Sequence, residues 1–198
     1  MQHKTLLERI ESDARIRPFI RKIKSYDENL YIHSVNVANL TEYIIDALDF
    51  PKRAKWDIVT GALLHDIGKT FLPFDLINKP SYLTGSEMQI VKNHPGLGYN
   101  LLKDFELGPV VLDIVLHHHE DEQGEGYPHG STSMFVETKI VSICDKYEAV
   151  RSSRPYKLGY SHEQTMQQLN YMFDRYTDIK DIKAIIGTIG KLPLAEGM

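Results

Sequence analysis

The sequence predicts an all-α fold, a single-domain helical bundle, and three observations support this. Apolar residues recur at spacings of three and four in most segments, and no two-residue alternation typical of β-strands persists. Prolines, glycines and capping-box pairs separate these segments. With 198 residues, of which 42% are hydrophobic and 25% charged, the chain has the size and composition of a folded domain with one core. We expect the bundle at residues 26–198 and a helical arm at residues 1–25.

Composition and charge exclude several classes of partner. The net charge is -4, whereas proteins that bind long nucleic acid carry a strongly basic surface. No stretch reaches the roughly 18 uncharged apolar residues of a membrane span, and the N-terminus lacks the apolar core of a signal peptide. The single cysteine, Cys144, cannot form an intramolecular disulfide, which suits a reducing compartment. We therefore expect a cytoplasmic protein with no membrane span and no long nucleic-acid partner.

The first long predicted helix carries a histidine on its inward side. Between residues 27 and 48 the apolar residues form one stripe, which contains Leu30, Val37, Leu40, Ile44 and Leu48. His33 falls on the edge of that stripe, so we expect its side chain to point toward the interior.

A second predicted helix leads to a His-Asp pair. Pro51 suits its first turn, residues 54–68 continue it, and Gly68 can adopt the left-handed conformation of a helix cap. This pattern predicts that His65 and Asp66 lie in the last turn of the helix.

Later histidines fall at predicted helix boundaries. Thr84 and Glu87 have the spacing of a capping box, and the helix that they begin is interrupted at Pro95, directly after His94. Residues 108–120 predict a helix that ends at its run of three histidines, and a glycine-rich loop follows.

The remaining helices are marked by periodicity and caps. Residues 135–150 predict a helix with Asp145 near its middle. Ser161 and Gln164 form another capping-box pattern, which begins a helix toward Met172. Residues 178–187 predict a last short helix.

These segments contribute histidines and acids that a bundle core can bring together. The candidates are His33, His65, Asp66, His94, His118, His119 and Asp145. Imidazole and carboxylate ligands without sulfur favour iron, manganese, zinc or similar divalent ions. The ligands are too many for one ion, and Asp66 has two oxygens that can bridge, so the set suggests two ions about 3.5 to 4 Å apart. Taken singly, each histidine is more often a core residue bonded to a carbonyl, and Asp145 a solvated acid.

The order of the motifs is more specific than any single residue. The motifs "LLHDIGK", "NHP", "HHE", "GYP", "CDKY" and "RPY" occur in this order between residues 31 and 163. Over that span the chain resembles the HD-GYP branch of the HD-domain metal-dependent phosphohydrolases. The resemblance implies a helical bundle of the HD-domain type with a metal site in its core.

The resemblance also implies a role for each candidate. The implied metal ligands are His33, His65, Asp66, His94, His118, His119 and Asp145. Asp66, which bridges two metals, and Lys69, which neutralises substrate phosphate, are the implied catalytic residues. Tyr127 and Pro128 lie near the implied substrate entrance. Arg154 of the "RPY" motif is placed with Lys69 near the phosphates, with a surface salt bridge as the alternative.

The implied function is hydrolysis of cyclic di-GMP to the linear dinucleotide, and in many members onward to GMP, through a hydroxide that bridges two metal ions. Iron or manganese is expected, with zinc, nickel or cobalt as alternatives. Three other hypotheses remain open: an HD-domain phosphohydrolase of another nucleotide or phosphate ester, a non-catalytic sensor of a cyclic dinucleotide, and a purely structural bundle. A homodimer and a regulatory partner are compatible with these residues.

Two positions depart from the family pattern, and one histidine is left over. Gln123 stands where the loop usually has an aspartate, so other substrates stay open. Asn29 stands where members with a third metal have a glutamate, which favours two metals. Adjacent histidines on a regular helix point about 100° apart, so His118 and His119 reach one site only if the helix ends there. His117 is predicted to be a bystander.

Overall fold

The computed structural model describes residues 5–152, 159–174 and 180–192, and it confirms the predicted all-α fold. In chain order the elements are α1 (Leu6–Ser12), α2 (Arg17–Tyr26), α3 (Glu28–Ala47), α4 (Lys52–Leu64), a 3-10 turn (Ile67–Phe71), α5 (Phe74–Ile77), α6 (Gly85–Val91), α7 (His94–Leu102), α8 (Pro109–His117), α9 (Val136–Arg151), α10 (His162–Met172) and α11 (Lys180–Ile189). The described residues contain no β-strand. None of the helices in these ranges combines the length and the apolar character needed to cross a bilayer.

Four helices, α3, α4, α8 and α9, form the centre of the bundle. α3 packs against α4 and α9, and α8 packs against α4, α7 and α9. The space between them is filled by fully buried side chains, among them Val37, Ile44, Ile58, Leu63, Ile114 and Ile140. The stripe predicted on α3 is confirmed, because Leu30, Val37 and Ile44 are buried and Leu40 and Leu48 pack against the core.

The predicted N-terminal arm consists of α1 and α2, and its side chains enter the common core. Ile10, Ile16 and Ile23 are each at most 1% exposed, and α2 packs against α3. The predicted boundary between residues 25 and 26 falls next to the end of α2. The division into an arm at residues 1–25 and a domain at residues 26–198 stays a prediction.

Side-chain caps begin two helices as predicted. Thr84 forms a capping box with Glu87, and Ser161 forms one with Gln164. α6 ends at Val91 and α7 begins at residue 94, so the predicted interruption before the proline is confirmed.

The second predicted helix ends earlier than expected. α4 stops at Leu64, and Gly68 lies in the 3-10 turn and not at a left-handed helix cap, so that part of the prediction was wrong. A Cβ atom on Gly68 would lie 1.9 Å from the carbonyl oxygen of His94. Glycine therefore lets the turn pack directly against the start of α7. This contact brings Asp66, which precedes the turn, next to His94.

Candidate metal centre

The predicted ligands come together around one carboxylate. His33 lies in α3, Asp145 lies in α9, and the others stand at helix ends. The atoms that could bind a metal form two groups, and within each group they lie within 4.8 Å of one another. The groups are Asp66, His94, His118 and His119, and His33, His65 and Asp66. Asp66 therefore belongs to both.

The two oxygens of Asp66 face different groups. Oδ1 lies 3.1 Å from Nε2 of His94 and 3.8 Å from Nε2 of His118. Oδ2 lies 3.4 Å from Nε2 of His65 and 3.6 Å from Nε2 of His33. A carboxylate whose oxygens point toward separate sets of imidazoles has the arrangement of a bridge between two ions.

Asp145 adds an oxygen to the second group. Its Oδ1 lies 3.0 Å from Nε2 of His33 and 3.8 Å from Nε2 of His65. The residue is only 7% exposed, although it sits in the middle of a charged stretch of α9. It is therefore an acid that faces the core and not a solvated one.

Backbone carbonyls fix the orientation of three imidazoles. Nδ1 of His65 lies 2.7 Å from the carbonyl oxygen of Ala62, and Nδ1 of His94 lies 2.8 Å from that of Val91. Nδ1 of His118 lies 3.1 Å from the carbonyl oxygen of Ile114. Because a carbonyl oxygen only accepts, each Nδ1 carries the proton and donates it. In the neutral ring Nε2 then presents its lone pair to the centre, which is the form that binds a metal.

A carboxylate, and not a carbonyl, orients His33. Nδ1 of His33 is hydrogen-bonded to Oε2 of Glu148, and Oε1 of Glu148 accepts a hydrogen bond from Asn36 at 3.1 Å. Burial lowers the pKa of His33, but the hydrogen bonds to Asp145 and Glu148 outweigh it and raise the pKa to about 10. Glu148 is absent from the predicted site. Its sequence signal is its position three residues after Asp145, which places both on one side of α9.

The pKa shifts hold most of the ligands in states that bind cations. Burial alone would raise the pKa values of Asp66 and Asp145, but the positive charge of Lys69 beside Asp66, and the hydrogen bond and charge of His33 beside Asp145, hold both well below their usual range. Burial lowers the pKa values of His118 and His119 well below the usual range. Charged carboxylates and neutral imidazoles are the forms in which these side chains ligate metals.

Two buried ligand atoms also lack a partner of their own. Nε2 of His65 and Oδ1 of Asp66 are buried and make no hydrogen bond of normal geometry with any described residue. Buried polar atoms are rarely left this way, and a cation would satisfy both. The donor set, its charges and these two atoms therefore fit a divalent metal site.

Lys69 lies at the edge of the centre. Its Nζ donates a hydrogen bond to Oδ2 of Asp66 at 2.5 Å. The residue comes from the 3-10 turn, so the close packing of that turn on α7 also positions this cation. Its role toward phosphate stays a prediction. Arg154, the other cation predicted to contact phosphate, lies outside the described residues.

The loop with the "GYP" motif folds back onto the histidine run. The N–H of Tyr127 donates to the carbonyl of His119 at 3.1 Å, and the two rings stack with their centroids 4.7 Å apart. A Cβ atom on Gly126 would lie 2.4 Å from Cα of Glu120, so only glycine permits this approach. Tyr127 consequently covers one face of His119, and Pro128 follows it as an exposed residue.

Glu120 holds this loop in place through hydrogen bonds to its backbone. The residue is 2% exposed, and its two oxygens accept hydrogen bonds from the backbone N–H groups of His129 at 2.6 Å and Ser131 at 3.0 Å. The sequence interpretation assigns no role to Glu120 beyond completing a motif. Its position directly after two histidines is a signal, but its partners become evident only from the path of the loop.

His117 lies outside both groups of ligands. Its Nδ1 is 2.8 Å from Oδ1 of Asp113, one turn earlier on α8. α8 ends at His117, so the predicted helix end at the histidine run is confirmed. The two positions that depart from the family pattern, Gln123 and Asn29, are both exposed.

Comparison with known sequences identifies related proteins. A model of the HD domain family matches residues 17–180. The chain is 32% identical over 176 residues to a cyclic di-GMP phosphodiesterase of Pseudomonas aeruginosa, and the match covers 87% of this chain and 42% of the relative. It is 30% identical to the cyclic di-GMP phosphodiesterase PdeB of Borreliella burgdorferi, over 82% of this chain and 44% of the relative. The chain thus spans less than half the length of these two relatives.

Comparison with solved structures gives the same relationship. The HD domain of the L. monocytogenes phosphodiesterase PgpH superposes with a TM-score of 0.67 at 25% identity, covering 87% of this chain and 95% of that domain. The same HD domain has also been solved in complex with cyclic-di-AMP.

Proposed function

This chain belongs to the HD-domain family, and from that premise we propose that it is a metal-dependent phosphodiesterase of the HD-GYP branch. The proposed reaction is hydrolysis of cyclic di-GMP to the linear dinucleotide and onward to GMP. The observation that carries the proposal is the position of Asp66, whose oxygens face two separate groups of imidazoles. Relatives that are themselves named cyclic di-GMP phosphodiesterases support the choice of substrate.

The centre suits divalent metal, and we propose that it holds two ions. Iron or manganese fits the nitrogen and oxygen donors, with zinc, nickel or cobalt as alternatives. Asp66 would be shared between one set, His94, His118 and His119, and another set, His33, His65 and Asp145. When bound, such ions activate water and stabilise phosphate charge as Lewis acids.

The protein's own residues would hold and neutralise the substrate. Hydrogen bonds at Nδ1 keep the imidazoles in fixed orientations, so the site needs little reorganisation when substrate arrives. Lys69, already beside Asp66, would place positive charge against a phosphate oxygen, and Arg154 would supply a second cation. Tyr127 and Pro128 would border the entrance.

The test joins metal analysis and turnover on one preparation. Protein purified without chelator should contain about two transition-metal ions per chain and linearise cyclic di-GMP. Chelation should remove both the metal and the activity, and added metal should restore them. Asp66→Ala should lose both, since it removes the shared ligand, and turnover at the wild-type rate by Asp66→Ala protein would refute the site.

A second candidate substrate is another cyclic dinucleotide or a phosphate ester. The complex of the PgpH domain with cyclic-di-AMP favours this alternative, as does Gln123 in the loop. Turnover of cyclic di-GMP, cyclic di-AMP and an aryl phosphate should be compared under one set of conditions. Binding of a cyclic dinucleotide without turnover, in protein replete with metal, would instead indicate a sensor.

We further propose a cytoplasmic location, because the buried free thiol of Cys144 suits a reducing compartment. A homodimer and a regulatory partner stay predictions.

A further inference from the structure

Lys92 lies at the junction of α6 and α7, beside the candidate metal centre. It is the C-cap residue of α6 and precedes His94 by two residues, so both lie at the break between the two helices. Its backbone N–H donates to the carbonyl of Met88 at 2.9 Å. The side chain is partly buried and extends from the helix end to the loop with the "GYP" motif.

The ammonium group of Lys92 lies over the ring of Tyr127. Nζ is 5.1 Å from the ring centroid, and the same ring stacks on His119 with the centroids 4.7 Å apart. An ammonium group at this distance is attracted by the electrons of the ring. Lys92 is therefore linked to the centre twice, along the chain to His94 and through Tyr127 to His119.

Two lysines consequently flank the centre, one on each side of Asp66. His94 and His119 belong to the group of ligands that faces Oδ1. Lys92 lies on that side, whereas Lys69 donates a hydrogen bond to Oδ2. Positive charge thus stands beside both groups of ligands.

The two ammonium groups differ in their partners. Lys69 is paired with a carboxylate, but the ammonium group of Lys92 makes no hydrogen bond or ion pair with any described residue. Attraction to an aromatic ring is weaker than a hydrogen bond between charged groups. An anionic group that arrives at the loop would therefore gain a cation without first breaking an ion pair.

The number of phosphates decides which ligand needs this second cation. A cyclic dinucleotide carries two phosphodiester groups, and only one of them can be at the metal ions when it is cleaved. The other group keeps its negative charge outside the metal centre, where a lysine can bind it. An ester with a single phosphate has no such group for Lys92.

We propose that Lys92 binds the second phosphate of a cyclic dinucleotide and thereby selects this class of substrate over esters with a single phosphate. The inference rests on the proposed function, because it places the first phosphate at the metal ions beside Asp66 and Lys69. Lys92 itself belongs neither to the six motifs nor to the predicted ligands.

The test measures binding of a hydrolysis-resistant phosphorothioate analogue of cyclic di-GMP to metal-replete protein by isothermal titration calorimetry. Lys92→Met keeps an unbranched apolar side chain against Tyr127 but removes the charge, so the analogue should bind roughly tenfold more weakly. This difference should shrink as the salt concentration rises from about 0.05 M to about 0.5 M, because salt screens the attraction that the variant has lost.

Two further variants serve as controls. Lys92→Arg keeps the positive charge and can still lie over the ring, so the analogue should bind within about threefold of the wild-type affinity. Lys103→Met removes an exposed lysine at the end of α7 and should change the affinity less than about twofold.

Turnover of bis(p-nitrophenyl) phosphate, which has a single phosphate, separates binding of the second phosphate from support of the loop. If Lys92 binds that phosphate, Lys92→Met should change this turnover less than about twofold. If Lys92 only holds Tyr127 on His119, the variant should lose this turnover and the binding of the analogue alike.

Three results would overturn the proposal: no binding of the analogue by folded wild-type protein, equal binding by Lys92→Met and Lys103→Met protein, or an equal loss for the two phosphate compounds. Binding of the analogue needs no turnover. A chain that binds it through Lys92 but leaves cyclic di-GMP intact would therefore refute only the proposed hydrolysis.

Discussion

The candidate metal centre is built in two ways, which differ in what orients the imidazoles. His65, His94 and His118 stand at helix ends, where the last carbonyl groups of a helix have no partner within that helix. Their Nδ1 atoms donate to such carbonyls, which are those of Ala62, Val91 and Val115. His33 stands in the middle of α3, where the backbone carbonyls are already hydrogen-bonded within the helix. The hydrogen bond of its Nδ1 is therefore made to a carboxylate oxygen of Glu148 in α9.

The difference is one of distance along the chain. The carbonyl groups that hold the helix-end histidines lie three or four residues before them, so a few consecutive residues supply both the ligand and its support. The carboxylate that holds His33 is 115 residues away, and its position depends on the packing of α3 against α9. The helix-end imidazoles are thus oriented by local contacts, whereas the orientation of His33 depends on the tertiary fold.

Removal of a helix-end ligand should have the largest effect. His118→Ala takes an Nε2 atom from the Oδ1 side of Asp66, so metal content should fall by about one ion per chain and turnover by roughly 10²-fold or more. Metal analysis and a cyclic di-GMP assay on the same sample measure both. His117→Ala is the control, since it changes the adjacent residue outside both groups, and equal losses in the two variants would contradict this assignment.

Removal of the charge that supports His33 should have an intermediate effect. Glu148→Gln keeps an oxygen that can accept from Nδ1 of His33 but loses the negative charge, so metal affinity should fall roughly 10- to 100-fold. Competition with a chromophoric chelator measures the affinity. Glu163→Gln, an exposed change on α10, should have no effect, and an unchanged affinity in Glu148→Gln would show that His33 needs no charged support.

The same contrast explains which parts of the molecule were predictable. Periodicity and capping chemistry are local, and the cap of Thr84 on Glu87 follows from a spacing of three. The contacts that orient the helix-end histidines are local too, and the order of the motifs identifies these residues in the sequence. Gly68 was misread as a helix cap because its contact with His94 is tertiary. Glu148 was missed for the same reason, since a carboxylate on a charged helix looks solvated until α3 packs on it.

Proton release should distinguish His33 from the helix-end ligands. The raised pKa of His33, about 10, leaves its ring protonated at neutral pH in metal-free protein, whereas burial keeps His118 and His119 neutral. A metal ion that binds His33 must displace that proton, so metal affinity should rise as the pH rises toward that pKa.

Calorimetry of metal binding in buffers of different ionisation enthalpy measures this release. Wild-type protein near neutral pH should release about one proton per chain more than His33→Ala protein. Equal release by the two would mean that His33 is already neutral before the metal binds.

The loop should matter least for metal content, because the helix ends and not the loop direct most of the Nε2 atoms. Gly126→Ala places a Cβ atom 2.4 Å from Cα of Glu120, so the loop must move off the histidine run, at a cost of about 1–3 kcal/mol in the free energy of unfolding. Turnover should fall because Tyr127 leaves His119, while metal content stays near the wild-type level.

Gly96→Ala is the matched control: a Cβ there meets nothing within 4 Å, so alanine in α7 should stabilise the protein by about 0.5 kcal/mol. Urea unfolding of both variants measures the free energy of unfolding, which should fall in Gly126→Ala and rise in Gly96→Ala. Equal stability of the two variants would show that the loop is not held against the histidines by this contact.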